Sequence, residues 1–230
     1  MIKKINFPYS SNYSFYLADE IDSTNTYFKN NYNEYSDNSV LIALKQTNGR
    51  GRYNRRWESD NDLIFSILKK ENDNYQIIIP LAITLALKNY DINTLIKWPN
   101  DIYLNNLKLS GILIEDVYLN KFISSIIGIG INYSDKPNVL GIGLNKDIDK
   151  YDLINQILNK IDYLTNLDFK LVMDLYKEYS FVIGKNIIYK GKEYYVLDID
   201  TNGHLIIKND KEILNINSDE INIKEAMIWK

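Results

Sequence analysis

The sequence predicts an α+β protein, a mixed and largely antiparallel sheet backed by helices and followed by a small β-barrel. Three observations carry this. The segments "LIKW", "DIYL", "LKLSGILIEDVY" and "FISSIIGIGIN" follow one another at short spacing with Asn-rich turns between them, as sequential antiparallel strands do. Two amphipathic helical segments come next. Past Gly184 the chain breaks into short strands separated by "KG", "TNG" and "KND", the texture of a small barrel.

The elements can be justified in order. Phe15 to Ala18 reads as a strand, and "DSTN" after it offers Asp22, Ser23 and Thr24 as N-caps for a helix reaching about Asn31, because their side-chain oxygens can take the first free amides. "VLIALKQ" is a second strand that leads into an Arg-rich loop, and the alternating "LIFSILK" beyond it is a third. A buried helix is expected from Gln76 to about Lys88, with Pro80 tolerable near its first turn, where a missing N–H costs nothing. Asn105 with Asn106, and Leu119 with Asn120, are the expected strand reversals. Tyr151, Ile154, Ile157, Leu158 and Ile161 share one helical face, as do Phe169, Val172, Met173 and Tyr176. The texture changes at Val182 to Lys185, which divides the chain into residues 1–182 and a barrel at 183–230.

Composition narrows the function. The 230 residues suffice for one substantial core and a small further domain, and 45% apolar with 25% charged residues is the balance of a soluble globular protein. A net charge of −3 disfavours a general nucleic-acid binder, which collects phosphates on a basic face. The absence of cysteine excludes disulfides, thiolate metal sites and cysteine nucleophiles, and suits a reducing compartment. "MIKKINFPYSSNY" lacks the apolar core of a signal peptide and no later run is long enough to span a bilayer, so the expected location is cytoplasmic, away from any membrane. Histidine occurs once, at His204, too few for a Ser-His-Asp triad or a His-rich metal site. With no "GxxxxGK[ST]" in the chain, a P-loop is excluded as well.

Four short stretches carry candidate chemistry. "QTNGRGRYNRRW", Gln46 to Trp57, places four arginines and two glycines in a dozen residues; Gly49 and Gly51 let backbone amides approach an anion, and Arg50 and Arg52 can add charge-assisted forks to phosphate or carboxylate oxygens. In "KWPND" a turn built on Pro99 fixes Lys97 relative to Asp101, a cation and a carboxylate suited to a nucleotide phosphate and its Mg²⁺. "KLSGILIE" heads an apolar strand with Lys108, and Gly111 within it marks a bulge or the close approach of a ligand. "GIGIN", Gly128 to Asn132, lacks the third glycine of a dinucleotide fingerprint; its small residues leave room for a flat ring, and Asn132 offers a donor and an acceptor to a base edge. Taken singly, each stretch also fits a solvated loop, an exposed lysine or a kinked core strand.

Taken in order, "STN", "QTNGRGRYNRRW", "KWPND", "KLSGILIE" and "GIGIN" resemble the catalytic domain of biotin protein ligases over residues 15 to 135. The resemblance implies a biotin- and ATP-binding catalytic domain related to class II aminoacyl-tRNA synthetases, then an SH3-like barrel. It implies ATP-dependent biotinylation of one lysine on a biotin carboxyl carrier domain, through biotinyl-5′-AMP, with Mg²⁺ assisting. It places biotin at Ser23, Thr24, Asn25, Gln46, Gly49, Arg50, Gly111 and Gly128. It places ATP and the adenylate at Arg52, Arg55, Trp57, Lys97, Asn100, Asp101, Lys108 and Asn132, with Arg52, Lys108 and Lys97 as the catalytic cations and Asp101 as the magnesium ligand. Asn54 stands where the family has a further glycine, and Asn tolerates the same left-handed backbone. Since "DSTN" begins at residue 22, no N-terminal DNA-binding domain is expected. Two rivals remain: a lipoate or octanoate ligase or transferase on the same fold, and a nucleic-acid module using the Arg loop with tyrosine stacking. A homodimer through a sheet edge is a fold-level analogy.

Overall fold

The computed structural model describes residues 1–9, 12–57, 61–71, 73–136, 141–217 and 221–223. The chain divides into two compact units, residues 1–75 with 107–159, and residues 76–106 with 160–230.

Among the described residues, the first unit contains six strands: β1 (Ile2–Ile5), β2 (Ser14–Ala18), β3 (Ser39–Ala43), β4 (Leu63–Lys69), β7 (Leu107–Leu119) and β8 (Lys121–Ile131). They lie side by side as β1-β2-β3-β4-β8-β7. All neighbours are antiparallel except β2 with β3, which are parallel. Helix α1 (Thr24–Asn31) makes the crossover between those two strands and is capped by Ser23, whose Oγ accepts from the Thr26 amide. Its Phe28 is buried with Ala18, Leu41, Leu68 and Ile126, which seats the helix on one face of the sheet. The buried "LIFSILK" strand occupies Leu63–Lys69 as expected, and it carries one polar side chain in mid-strand, Ser66, with no solvent exposure.

In β7 and β8 the reversal falls at Asn120, which takes the left-handed backbone at φ 64°. The glycines of the two strands are in register: Gly111 faces Gly130 and Leu113 faces Gly128, while Ser66 of β4 flanks Gly128 on its other side. Directly opposed residues point to the same side of a sheet, so Gly111, Gly128 and Gly130 open a trough on one face. The irregularity in the β7–β8 ladder lies between Val117 and Tyr118. Gly111 therefore marks close approach, not a bulge.

The second unit holds most of α2 (Tyr75–Lys88), the ladder of β5 (Leu95–Lys97) with β6 (Asp101–Leu104), and α4 (Phe169–Glu178). Helix α3 (Lys150–Thr165) begins in the first unit and ends in the second. Pro80 lies six residues into α2, deeper than the first turn that the sequence favoured. The fully buried Ile79, Leu81, Ala82 and Ile83 around it supply the packing that offsets a lost backbone donor. Asn105 and Asn106 both take left-handed backbone, at φ 51° and 64°. Beyond α4 come β9 (Asn186–Tyr189), β10 (Lys192–Ile199), β11 (Leu205–Lys208), β12 (Ile213–Ile216) and β13 (Asn222–Ile223), ordered β12-β11-β10-β9-β13 in one antiparallel sheet that forms the barrel-like C-terminal part. The last part of the expected barrel, 224–230, lies outside the described residues. Among the described residues, no helix is long and apolar enough to cross a membrane.

Candidate active site

The N-terminus of α1 meets the end of β3 and the face of the sheet in a chain of polar contacts. Ser23, Thr24 and Asn25 are all buried. The Thr24 amide donates to Gln46 Oε1 at 2.8 Å, and Thr24 Oγ1 lies 3.1 Å from the same oxygen. Ser66 Oγ sits 2.7 Å from Thr24 Oγ1 and 2.6 Å from Asn25 Oδ1. Asn25 Nδ2 then donates to Leu113 O at 3.1 Å and to Glu115 Oε2 at 3.2 Å. The predicted biotin residues Ser23, Thr24, Asn25 and Gln46 are thus brought together.

Gly128 serves this arrangement: a Cβ there would collide with the Asn25 side-chain amide. The room that the sequence reading kept for a ligand ring at this position is taken by Asn25. Along the same trough, a Cβ on Gly130 would lie 2.5 Å from the Trp57 ring and one on Gly111 2.9 Å from it. The flat ring over the glycines in this structure is the Trp57 indole. Lys108 Nζ is 5.6 Å from the centre of that indole and borders Gly111, so the predicted cation at the head of β7 stands over the predicted aromatic.

The Arg loop folds as a narrow hairpin. Trp57 N–H donates to Gly49 O at 2.9 Å, Arg50 bridges Arg56, and Gly51 N–H donates to Arg55 O at 2.7 Å. Gly49 is needed for close approach, since a Cβ would lie 2.8 Å from both Gln46 Nε2 and Trp57 O. The left-handed residue of this turn is Tyr53, at φ 56° and ψ 34°, and not Asn54. Arg52 lies with its guanidinium 5.1 Å from the Tyr53 ring centre and Nη2 3.2 Å from the Tyr53 hydroxyl.

Arg50 has partners within the protein. Its Nη2 donates to Thr26 Oγ1 at 3.1 Å and to Glu115 Oε2 at 3.2 Å, so the anion facing it is a carboxylate of the protein itself. Lys29 Nζ reaches the other oxygen, Oε1, at 3.0 Å. Burial pushes the Glu115 carboxyl up, but hydrogen bonds from Lys29 and Asn25 and the charges of Arg50 and Lys29 outweigh it and hold the group below the ordinary range.

Asn132, at the end of β8, is buried, and its Nδ2 donates to Lys108 O at 3.2 Å and to Ile142 O at 3.3 Å. Both of its N–H groups are engaged, so it can present a base edge with the Oδ1 acceptor alone and not with the donor–acceptor pair expected from sequence. Nearby, Tyr133 N–H donates to the buried Asp62 at 3.1 Å and Lys136 Nζ lies 3.2 Å from the same carboxylate. Burial nonetheless keeps the Asp62 carboxyl above its usual range, against these bonds and the charges of Lys136 and Lys150.

The remaining predicted residues belong to the second unit. Lys97 and Asp101 are opposite partners in the β5–β6 ladder, with Trp98, Pro99 and Asn100 forming the turn between them. The Trp98–Pro99 peptide is cis, and the buried Trp98 indole N–H donates to Gly203 O at 2.8 Å. Lys97 Nζ stands 5.3 Å from the centre of the Tyr103 ring.

Residues 17–132, half of the chain, match the model of the "Biotin/lipoate A/B protein ligase family". The bifunctional ligase/repressor BirA of Bacillus subtilis is 30% identical over 224 residues, which is 83% of this chain and 68% of that protein. The chain belongs to the biotin/lipoate A/B protein ligase family. Biotin–protein ligase 1, chloroplastic, of Arabidopsis thaliana is 34% identical over 125 residues, 49% of this chain and 34% of its own length. Among solved structures, the biotin protein ligase from Aquifex aeolicus in complex with biotin and ATP superimposes with a TM-score of 0.77 at 26% identity, covering 91% of this chain and 98% of that one.

Two residues of this ligase-family site were not assigned from sequence. Ser66 had a visible signal, a lone hydroxyl in an otherwise apolar strand apart from its terminal lysine. Glu115 had none beyond its place at the end of "KLSGILIE": its partners Asn25, Lys29 and Arg50 are 65 to 90 positions away in sequence.

Proposed function

We propose that the chain is a biotin protein ligase. It condenses biotin with ATP to biotinyl-5′-adenylate and pyrophosphate, then passes the biotinyl group to the ε-amine of one lysine on a biotin carboxyl carrier domain. The observation that carries this reading is the convergence, in one unit, of the buried Ser23-Thr24-Asn25 turn, Gln46 and the glycine trough bordered by Lys108. It is supported by the likeness to the Aquifex aeolicus enzyme complexed with biotin and ATP.

The chemistry follows from charge. A biotin carboxylate attacking the α-phosphate brings two anions together, and fixed cations remove that repulsion without reorganising. Lys108 and Arg52 are assigned to the meeting point, and Lys97 to the departing phosphates. Arg55 and Asn100 are assigned to the nucleotide as well, and the Asn132 Oδ1 acceptor to the adenine amino group. Among the described residues, no three His, Cys, Asp or Glu side chains gather as a metal cage. Mg²⁺ takes one or two carboxylates and completes its shell with water and phosphate oxygens. Asp101 is the carboxylate assigned to it, and the ion would supply charge neutralisation at the phosphates. The reading includes residues 1–182 as the catalytic domain, 183–230 as an SH3-like barrel, and a cytoplasmic location.

The test is mass spectrometry of a biotin carboxyl carrier domain incubated with the protein, biotin and MgATP, alongside a reaction in which lipoic acid replaces biotin. One biotinyl addition on one lysine, with no lipoyl addition, is expected. An unmodified carrier, or modification by lipoic acid alone, refutes the reading.

A further inference from the structure

The ladder between β4 and β8 stops at Leu63 with Ile131, and a buried carboxylate stands where its next rung would be. The same register would set Asn61 opposite Tyr133. Because the Asn132 amide donates to Leu109 O on the β7 side, the amides of its neighbours Ile131 and Tyr133 face β4. Asn61 nevertheless leaves the ladder. It takes the left-handed backbone at φ 62°, and its carbonyl accepts from Lys150 Nζ at 2.7 Å, which also lies 3.2 Å from Asp62 O. Tyr133 N–H turns instead to Asp62 Oδ1 at 3.1 Å, and Lys136 Nζ lies 3.2 Å from Oδ2 of that carboxylate. The Asp62 side chain has no solvent exposure.

Released from β4, the chain beyond Asn132 comes to lie along β7. Ile142 N–H donates to Lys108 O at 3.0 Å and Leu144 N–H to Asn132 O at 3.0 Å, while Asn132 Nδ2 reaches the same Lys108 carbonyl at 3.2 Å. Residues 133–136 and 141–145 are also bonded to each other, through Lys136 with Gly141 and through Asp135 Oδ1, which accepts from Gly143 N–H and Asn145 Nδ2. Those bonds make one piece of the two segments. The hydrogen bond and the ion pair that join this piece to the head of β4 both end on Asp62.

We propose that Asp62 is a positioning residue for the nucleotide half of the site: it takes Tyr133 N–H and Lys136 while Lys150 takes the backbone carbonyls, and so sets the chain after Asn132 against Lys108. Asn132 is assigned to the base and Lys108 to the meeting of carboxylate with α-phosphate, so a shift of this piece moves a nucleotide contact relative to a catalytic cation. Ser23, Thr24, Asn25 and Gln46 contribute none of these bonds. Without the carboxylate, Tyr133 N–H loses its acceptor, since Asn61 O is already taken, and Lys136, 12% exposed, loses a counter-charge. Both losses favour movement of the piece toward water. The inference rests on the reading of the protein as a biotin ligase and adds a residue which that reading does not assign.

The test compares wild type with Asp62→Asn, which keeps the side chain's size but sets an amide against Lys136. In steady-state adenylation, kcat/KM for MgATP is expected to fall roughly tenfold, the effect of losing about one hydrogen bond to a charged group. Kd for biotin, measured by calorimetry without nucleotide, should stay within about twofold. Hydrogen exchange reads position directly: the Ile142 and Leu144 amides should exchange roughly tenfold faster in the variant, with the Ile127 amide in mid-β8 unchanged. A merely structural role would lower the melting temperature and speed exchange throughout the sheet while leaving both KM values as they were. That result, or unchanged exchange at Ile142 and Leu144, overturns the proposal. Should Asp62→Asn fail to fold, Lys150→Met, which frees the Asn61 carbonyl for Tyr133, is expected to show the same loss for MgATP alone; wild-type kinetics in that variant would be equally fatal. Wild type that releases no pyrophosphate from biotin and MgATP removes the parent reading and this inference with it, whereas an active wild type with unaltered variants removes the inference only.

Discussion

Replacing Gly128 with alanine tests how the site is built. The new methyl group collides with the Asn25 amide, whose Cγ lies 2.9 Å from the ideal Cβ position. The backbone has little freedom to yield, because Gly128 is in mid-strand with β4 hydrogen-bonded on one side and β7 on the other. Asn25 must therefore leave, giving up its bonds to Leu113 O, Ser66 and Glu115. Two neutral bonds at about 1 kcal/mol each and one to a carboxylate at roughly 1.5–3 kcal/mol add up to roughly 3–5 kcal/mol. About 0.5–1 kcal/mol returns because alanine is preferred to glycine within a strand. A net loss of roughly 3–4 kcal/mol should appear as a lower urea midpoint at unchanged slope, with biotin KM raised at least tenfold. In the Asn25→Ala background the clash is gone, so the second substitution should cost less than about 1 kcal/mol, a coupling of about 2 kcal/mol or more. Additive losses in the double variant, or a Gly128→Ala protein with wild-type stability and KM, would refute the packing argument.

Four further outcomes are expected. Lys108→Ala should slow adenylation by on the order of a hundred- to a thousandfold, read as pyrophosphate release, because a preorganised cation is lost; a rate within a few-fold of wild type rejects its role. Tyr53→Asn should raise stability by about 0.5–1 kcal/mol, since a left-handed tyrosine costs about 1–2 kcal/mol and its exposed contact with Arg52 recovers about 0.5–1; calorimetry showing a lower melting temperature contradicts this. Because the Glu115 carboxyl is held below the ordinary range, its stabilising contribution is complete above the unfolded value near pH ~4 and fades as the pH falls through the lower native value. Urea midpoints of wild type and Glu115→Gln should therefore stay apart at neutral pH and converge only below about pH 4; convergence already near neutrality would count against the ion-paired geometry. Trp98→Phe leaves the Gly203 carbonyl without its indole donor and should cost about 1–3 kcal/mol, and a loss well below this in chemical denaturation would mean that another donor replaces it.

Much of the fold was legible because it is written in local patterns. "LIFSILK" became β4 residue for residue, and the reversals fell at Asn105, Asn106 and Asn120, since asparagine adopts the left-handed backbone at little cost. The helical face of Ile154, Ile157, Leu158 and Ile161 is buried, as its spacing required. The sequence missed β1, whose four residues, Ile-Lys-Lys-Ile, show no two-residue alternation and are recruited by the edge of β2.

At the site, the order of motifs along the chain was enough to name the family and to bring Ser23, Thr24, Asn25 and Gln46 under suspicion together. It could not say what each charge or gap would meet. That Arg50 faces Glu115, that Asn25 fills the space above Gly128, and that Trp57 covers Gly111 and Gly130 are outcomes of side chains far apart in sequence meeting across a sheet. Periodicity and turn chemistry act over a few residues and can be read from the chain alone, whereas hydrogen-bond polarity and packing depend on neighbours that exist only once the strands are in register.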